Sequence, residues 1–213
     1  MGKIRARTDE ELAARKQEIL AAAKEQFMTM SYESITLATI AEKTSISRPS
    51  IYHYYDKKES VFVDLIIREY QEWGEQLEPL LERRCSQEQF CQTMTDILWE
   101  HETLLKLLSL HLPIWDPSYD DSILHHFAKE TLPFQNTLKE VVAFQFPDAD
   151  SKERTMFLIQ FSVYCSSLYE TKYFAQKQMD AMWKIRSLDF IPPVKEICYD
   201  GLIKLSASLL SKE

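Results

Sequence analysis

Residues 36–59 read TLATIAEKTSISRPSIYHYYDKKE, and their apolar positions follow a tight spacing. Small Ala41 follows Ile40, Ile46 comes five residues after Ala41, and Ile51 comes five residues after Ile46. A helix-turn-helix needs a small residue where its helices cross, an apolar plug in the turn and apolar residues on the inner face of its second helix. The spacing therefore predicts a helix-turn-helix over residues 36–55.

The second helix of this motif leaves Arg48, Ser50, Tyr52 and His53 outside the predicted core. Hydroxyl, guanidinium and imidazole groups of this kind contact DNA phosphates and base edges. DNA binding is therefore the leading hypothesis for the chain.

Capping residues mark where the helices of this region begin. Thr36 and Ser47 are suitable N-caps for the two helices, and Pro49 falls in the first turn of the second, where its missing N–H costs nothing. Asp56 and Glu59 are spaced as a capping box that would start another helix at Lys57. The ammonium groups of Lys57 and Lys58 would then lie at a helix N-terminus, which favours phosphate binding.

Composition excludes several other classes. The chain of 213 residues has three glycines, too few for a phosphate-binding loop or a dinucleotide fingerprint. No apolar run is long enough to span a membrane, and the N-terminal MGKIRART lacks an apolar signal core, so we expect a soluble cytoplasmic protein without membrane association. The four cysteines show no CxxC pairing and are expected to be reduced thiols.

Charge divides unevenly along the chain. The net charge is −8, but residues 1–60 hold ten Lys/Arg against nine Asp/Glu, so the acidity lies entirely in residues 61–213. This asymmetry fits a small DNA-binding head, residues 1–58, joined to an acidic body, residues 59–213.

Helical periodicity and capping signals continue through the body. We expect an all-α protein of about nine or ten helices, with a three-helix head and a C-terminal helical bundle. Two further capping boxes, Ser86 with Gln89 and Asp150 with Glu153, would start helices of the body. Pro133 is expected to break a helix, since proline removes an interior hydrogen bond.

The head resembles the TetR family of bacterial regulators over about residues 15–62. The matching elements are Ala22, Ala23 and Phe27, then Tyr32, Thr36, Ile40-Ala41, Ile46-Ser47, Tyr52 with Tyr55, and Lys58-Glu59. Ser31 and Ser45 stand where that family usually has glycine, so each is expected to hold a positive φ in a slightly altered turn.

The resemblance implies a homodimeric repressor that places one recognition helix of each subunit in a major groove of a palindromic double-stranded operator. A small-molecule effector bound in the body would release the DNA. The residues expected to contact DNA are Thr36, Ser47, Arg48, Ser50, Tyr52, His53, Tyr54, Lys57 and Lys58.

Dimerisation is expected through the last two long helices, whose apolar stripes would form a four-helix interface. The predicted interface residues are Phe157, Phe161, Leu168, Cys198, Leu202, Leu205 and Leu209. The alternative is that these stripes form the core of a single subunit, and both can hold in part where a helix is apolar on two sides.

The central helices are rich in aromatic residues, which is typical of a large apolar cavity with a few polar anchors. The predicted effector-pocket residues are Trp99, His111, Trp115, Phe127, Tyr164 and Tyr169. Ordinary core packing is the alternative for each of them. No cofactor and no metal are expected, because His101-Glu102 lacks a second histidine four residues on.

Three functions remain open from the sequence. The first is a ligand-responsive DNA-binding repressor. The second is a dimeric DNA-binding protein controlled by a protein partner or by no ligand. The third, an enzyme, is not expected, because no catalytic triad, paired-carboxylate motif or phosphate loop is present in the sequence.

Overall fold

The computed structural model describes residues 9–110, 121–184 and 192–210, with the side chains of 172–180 and 182–184 excepted. Within these ranges the chain forms nine α-helices and no strand, which confirms the all-α prediction. The helices are α1 Asp9–Thr29, α2 Leu37–Glu42, α3 Arg48–Ile51, α4 Lys58–Leu77, α5 Gln87–Glu100, α6 Glu102–Ser109, α7 Asp121–Gln145, α8 Ser151–Lys184 and α9 Val194–Ser206.

The contacts divide the chain into two compact units. The first comprises Met1–Arg68 with Pro113–Phe127, and the second comprises Glu69–Leu112 with Ala128–Glu213. The first unit contains the whole helix-turn-helix, and the second contains most of the long helices. The domain boundary between residues 58 and 59 stays a prediction.

The core of the first unit is built on an aromatic cluster. Phe62 is fully buried and lies edge-on to Phe27 and Tyr32, with ring centroids 5.3 and 4.9 Å away. These rings tie α1, the turn after it and α4 together. Ile40 and Ile51 are both fully buried, so the apolar spacing of the motif is confirmed.

The second unit has its own aromatic core. Trp73 on α4 contacts Phe134 of α7, with centroids 4.7 Å apart, and Phe161 of α8, with centroids 5.9 Å apart. Phe90 of α5 lies edge-on to Phe146, 5.1 Å away. Full burial of a phenylalanine side chain contributes about 1.5–3 kcal/mol, so this aromatic cluster is a substantial part of the core of the second unit.

Local capping signals predicted helix starts well. Ser86 and Gln89 form a reciprocal box at the start of α5. Asp150 and Glu153 do the same before α8, where each backbone N–H donates to the other's carboxylate at 2.9 and 2.8 Å. Both boxes predicted for the body are therefore confirmed. The box of Asp56 with Glu59 stays a prediction: α4 begins at Lys58 rather than at Lys57, and Asp56 accepts a hydrogen bond from the Ser60 hydroxyl at 3.0 Å.

The predicted break at Pro133 is wrong, because α7 continues through it from Asp121 to Gln145. Pro133 and its neighbour Leu132 are both exposed. Water can therefore solvate the carbonyl that loses its partner, which lowers the cost of an interior proline.

The four cysteines are free thiols, as predicted. Cys91, Cys165 and Cys198 are buried, and Cys85 is half-buried. Burial raises the pKa of every one of these thiols. Among the described residues, no helix is both long and apolar enough to cross a membrane.

Candidate DNA-binding site

Helix α2 is fixed by a reciprocal cap and by a buried glutamine. Thr36 accepts a hydrogen bond from the Thr39 N–H at 3.1 Å, and the Thr39 hydroxyl accepts from the Thr36 N–H at 3.0 Å. Gln26 of α1 donates to the Thr39 carbonyl at 2.6 Å and accepts from its hydroxyl at 3.0 Å. The exposed N-terminus of α2, with Thr36 at its tip, is thereby held rigidly against α1.

The turn between α2 and α3 is held by charge as well as by apolar packing. Ile46 is 8% exposed and fills the turn as predicted. Glu18 of α1 accepts hydrogen bonds from the Ser45 backbone N–H and, at 3.1 Å, from its hydroxyl. Arg15 pairs with the same carboxylate at 2.8 Å. The sequence did not reveal this clamp, since its members lie 27 and 30 residues apart.

Ser31 does not adopt the positive φ expected of it, so that expectation is wrong. Its φ is −71° and its ψ 146°, an extended conformation open to any residue. It leads into a 3₁₀ turn, Tyr32–Ser34, in which the hydroxyls of Ser31 and Ser34 lie 2.9 Å apart. The change from glycine is accommodated because this turn does not require the left-handed region.

We expect Glu18→Gln to destabilise the protein at neutral pH by about 0.5–1 kcal/mol, a small effect for a solvent-accessible group. The Ser45 N–H, and then Arg15, lower the pKa of Glu18 below its ordinary value. A lowered folded-state pKa stabilises the fold above the unfolded pKa, and this contribution disappears as the pH falls through the folded pKa. Urea unfolding at pH 7 and pH 3 should therefore show a larger difference between variant and wild type at pH 7 than at pH 3.

The control for this prediction is Glu25→Gln. The Glu25 carboxylate is exposed and lies 3.5 Å from Lys43 Nζ, and it does not take part in the clamp on the turn at Ser45. The substitution should leave stability nearly unchanged at either pH. An equal loss for Glu18→Gln at pH 7 and pH 3 would contradict a role for the carboxylate charge.

Helix α3 and the segment that follows it to residue 55 present a polar face because their other face is anchored in the core. It begins after Ser47, whose hydroxyl lies 2.7 Å from that of Ser50. Ile51 is fully buried and Tyr55 is 4% exposed, whereas the side chain of Tyr52 is 58% exposed. Of the other predicted contact residues in this stretch, Ser47, Arg48 and His53 are exposed, while Ser50 and Tyr54 are half-buried.

The cationic side chains predicted to contact DNA already make contacts within the protein. Arg48 forms an ion pair with Glu42 across the turn, and both side chains are more than half exposed. Lys58 donates to the Tyr32 carbonyl at 2.8 Å and lies 4.2 Å from the centroid of its ring. Lys57 is half-buried. DNA contact by Arg48 would therefore require exchange of Glu42 for a base or phosphate.

A cleft of about 440 Å³ lies behind the segment that follows α3. On its wall, Asp64 accepts hydrogen bonds from the Tyr55 hydroxyl and from His126 Nε2, both at 2.9 Å. Lys16 Nζ lies 3.6 Å from the same carboxylate. Burial, and then Asp64, raise the pKa of Tyr55 well above its ordinary value, so its hydroxyl stays protonated and donates. This network holds the segment that follows α3 in place at Tyr55.

The predicted effector residues fall into different environments. Phe127 is buried in the first unit, whereas half-buried Trp99, Tyr164 and Tyr169 belong to the second. His111 and Trp115 lie outside the described residues.

Tyr164 packs against α9. Its hydroxyl donates to the Ile197 carbonyl at 2.8 Å, and a Cβ at Gly201 would lie 2.3 Å from the hydroxyl oxygen. Residue 201 is therefore glycine because a larger side chain would collide with Tyr164 of the same subunit. This favours the core alternative for Tyr164.

The residues of the predicted dimer stripe are largely buried within the single chain. Six of the seven residues are at most 3% exposed within the single chain, and Leu205 is half-buried. They face inward because α8 and α9 pack on each other and on α5 and α6. The outer face of α8 instead exposes Met156, Ile159 and Val163, by 47, 55 and 66%.

Comparison with known proteins gives a family for the head. Residues 19–65 match the sequence profile of bacterial regulatory proteins of the tetR family. No curated protein sequence matches the chain significantly.

Solved structures share the fold over nearly the whole chain. The fatty acid degradation regulator FadR from Bacillus halodurans is similar with a TM-score of 0.57 at 13% identity, covering 90% of this chain and 93% of that one. FadR from Thermus thermophilus, a TetR-family repressor in complex with lauroyl-CoA, is similar with a TM-score of 0.60 at 16% identity, covering 93 and 97%. A putative TetR-family regulator from Mesorhizobium loti is similar with a TM-score of 0.56 at 16% identity, covering 94% of this chain and 98% of that one.

Proposed function

We propose that this chain, a TetR-family transcriptional regulator, binds a palindromic DNA operator as a homodimer and is released from it by a small-molecule effector. The proposal includes repression as the outcome of DNA binding and a cytoplasmic location, where the operator is accessible. It assigns no enzymatic activity to the chain.

The observation that carries the proposal is the polarity of α3 and of the turn that directly follows it, residues 52–54. Its inner side is anchored by fully buried Ile51, while Arg48, Tyr52 and His53 are exposed next to it. Insertion into a major groove requires a helix that is held firmly against its domain on one side and projects hydrogen-bond donors on the other. These residues fall within the segment that matches the family profile.

Selection of bound sequences from a random duplex pool, at a stated moderate salt concentration, tests DNA binding directly. We expect enrichment of an inverted repeat whose half-sites lie about one helical turn or more apart, because each subunit of a symmetric dimer reads one half-site. A well-folded protein that enriches no sequence, with or without candidate effectors, would contradict the proposal.

Tyr52→Phe should weaken operator binding by about 10-fold or more, because the exposed hydroxyl is proposed to donate to a phosphate. The loss should be similar for all operator variants, since a phosphate contact carries no sequence information. Fluorescence anisotropy with labelled duplexes measures both quantities.

Tyr199→Phe is the matched control for this variant. It removes a hydroxyl from half-buried Tyr199 on α9, in the second unit, and should leave DNA affinity unchanged. If Tyr52→Phe bound all duplexes as tightly as this control does, the phosphate contact would be excluded.

The homodimer is proposed to form through the exposed face of α8. Ile159 and Val163 are one helical turn apart, and Met156 precedes them by a turn, so the three form a continuous apolar strip. A second copy of the chain is its proposed occupant, since a palindromic operator requires a two-fold assembly and a self-complementary apolar strip can pair across such an axis.

The effector is proposed to bind in the helical body. The structural similarity to a FadR that binds lauroyl-CoA makes acyl-CoA thioesters the first series to test. We expect one chain length to dissociate the selected DNA at lower concentration than free coenzyme A does. If no small molecule releases DNA, control by a protein partner or by no ligand would replace this part of the proposal.

A further inference from the structure

The cleft behind the segment that follows α3 is lined by aromatic rings and by unequal numbers of positive and negative groups. It is formed by α1, by residues 52–56 and by the first two turns of α4 and α7, all within the first unit. Its volume of about 440 Å³ lies within the range of small-molecule sites. The lining residues that carry an aromatic ring are Tyr52, His53, Tyr54, Tyr55 and His126.

On one side of the cleft, the protein already holds a cation of its own. Lys16 Nζ lies 3.6 Å from the Asp64 carboxylate and, over the Tyr55 ring, 5.1 Å from its centroid. The face of an aromatic ring attracts an ammonium group within about 6 Å, and a nearby carboxylate adds Coulomb attraction. Lys16 therefore balances Asp64, and this arrangement shows that the lining groups accommodate positive charge.

The second carboxylate of the cleft has no such counterion. Asp56 accepts a hydrogen bond from the Ser60 hydroxyl at 3.0 Å but forms no ion pair with any residue that the structure describes. Lys16 is the one Lys or Arg among the described residues that line the cleft. One ammonium group against two carboxylates leaves one negative charge when both histidines are neutral. A ligand with a single positive charge would therefore complement this cleft.

We propose that the cleft binds a small organic monocation, an amine or a quaternary ammonium compound, between Asp56 and the neighbouring aromatic rings. Aromatic side chains grouped around a cation are a recurrent means by which proteins recognise quaternary ammonium ligands. A small organic anion would be repelled by Asp56. A bare metal ion is not the expected occupant, because no three potential metal ligands converge among the described residues that line the cleft.

The location distinguishes this site from the effector site proposed in the helical body. The cleft lies within the first unit, and Tyr52 and His53 contribute both to its lining and to the surface proposed to contact DNA. A bound cation would therefore lie directly beside the segment that follows α3. Binding of the cation goes beyond the regulator function and does not depend on it.

The test uses the full-length protein and three soluble benzyl compounds that differ in charge. Benzyltrimethylammonium is the cation, benzyl alcohol the neutral analogue and phenylacetate the anion. Ligand-observed NMR titration at low ionic strength should give saturable binding of the cation with a Kd of about 1 mM or below. The two analogues should bind at least about 10-fold more weakly, because they lose the attraction of both the rings and the carboxylate.

Asp56→Asn removes the negative charge and retains a side-chain oxygen for the Ser60 hydroxyl. Aspartate and asparagine are about equally suitable at a helix N-terminus, so the fold should be preserved, which circular dichroism checks. Binding of benzyltrimethylammonium should weaken about 5-fold, the contribution of an exposed ion pair. Added salt should lower the affinity of the wild type for the cation but have little effect on that of this variant.

Three further variants separate the aromatic contribution from general surface charge. Tyr52→Leu removes a ring from the lining and should weaken cation binding by about 2- to 5-fold, whereas Tyr52→Phe keeps the ring and should restore it. Asp200→Asn removes an exposed carboxylate from α9 in the second unit and should bind the cation as the wild type does.

Equal cation affinity in Asp56→Asn and the wild type would overturn the proposal, as would binding of benzyl alcohol as tight as that of the cation. A wild type without saturable cation binding would do the same, and the cleft would then be an ordinary solvent-filled groove. Because no DNA enters this assay, failure here leaves the DNA-binding proposal untouched.

Discussion

Phe62→Ala is expected to lower the free energy of unfolding of the head by about 3–5 kcal/mol. Phe62 is fully buried, and its ring contacts both Phe27 and Tyr32 edge-on. Truncation removes the transfer free energy of the ring, leaves a cavity and abolishes both aromatic pairs. Tyr32 also supports Lys58, so the N-terminus of α4 should loosen as well.

Hydrogen exchange followed by peptide mass is the appropriate measurement, because it resolves the first unit from the second. Peptides from α1 to α3 should exchange markedly faster in Phe62→Ala, and operator binding should fall with them. Phe62→Leu, which keeps most of the volume but loses both aromatic pairs, should cost about 1–3 kcal/mol, less than Phe62→Ala. Equal protection of these helices in Phe62→Ala and wild type would contradict the proposed head core.

The double change Ile159→Glu and Val163→Glu is expected to raise the dimer dissociation constant by about 100-fold or more. In a two-fold interface each substitution occurs twice, so four apolar side chains are lost and four carboxylates approach one another. The side chains are 55 and 66% exposed in the single chain, so the fold of the subunit should not change. Sedimentation velocity over a range of protein concentrations measures the effect.

Leu132→Glu on α7 is the control, since Leu132 is 50% exposed and the chemical change is the same. It should leave the dimer intact. A double variant that remains dimeric at the lowest concentrations would remove the α8 strip from the interface. Loss of the dimer should also reduce operator affinity, because one subunit alone reads only one half-site.

Features encoded by neighbouring residues could be predicted from the sequence. The helix-turn-helix core depends on Ile40, Ala41, Ile46 and Ile51, which lie within twelve positions and are all buried. The capping box that begins at Ser86 was equally readable, because a cap involves only residues of one helical turn.

Features that depend on distant residues could not be predicted. An apolar stripe such as that of Phe157 and Phe161 has the same period whether it faces its own subunit or another, so sequence left both possibilities open. The clamp of Glu18 on Ser45 and the contact of Asp64 with His126 join segments 27 and 62 positions apart. Whether Pro133 ends a helix could not be predicted, because the free-energy cost of an interior proline depends on whether water reaches the carbonyl that loses its partner.

The distribution of the cysteines has a practical consequence for spectroscopy. Cys85 alone among the four thiols is not buried, so a maleimide dye should attach there once per chain. Its raised pKa reduces the thiolate fraction at neutral pH, which makes labelling slow but selective under mild alkaline conditions. The native chain therefore already carries a single attachment point for a fluorophore, with no need for a cysteine-free background. A symmetric dimer labelled in this way would report its own association by energy transfer between two copies.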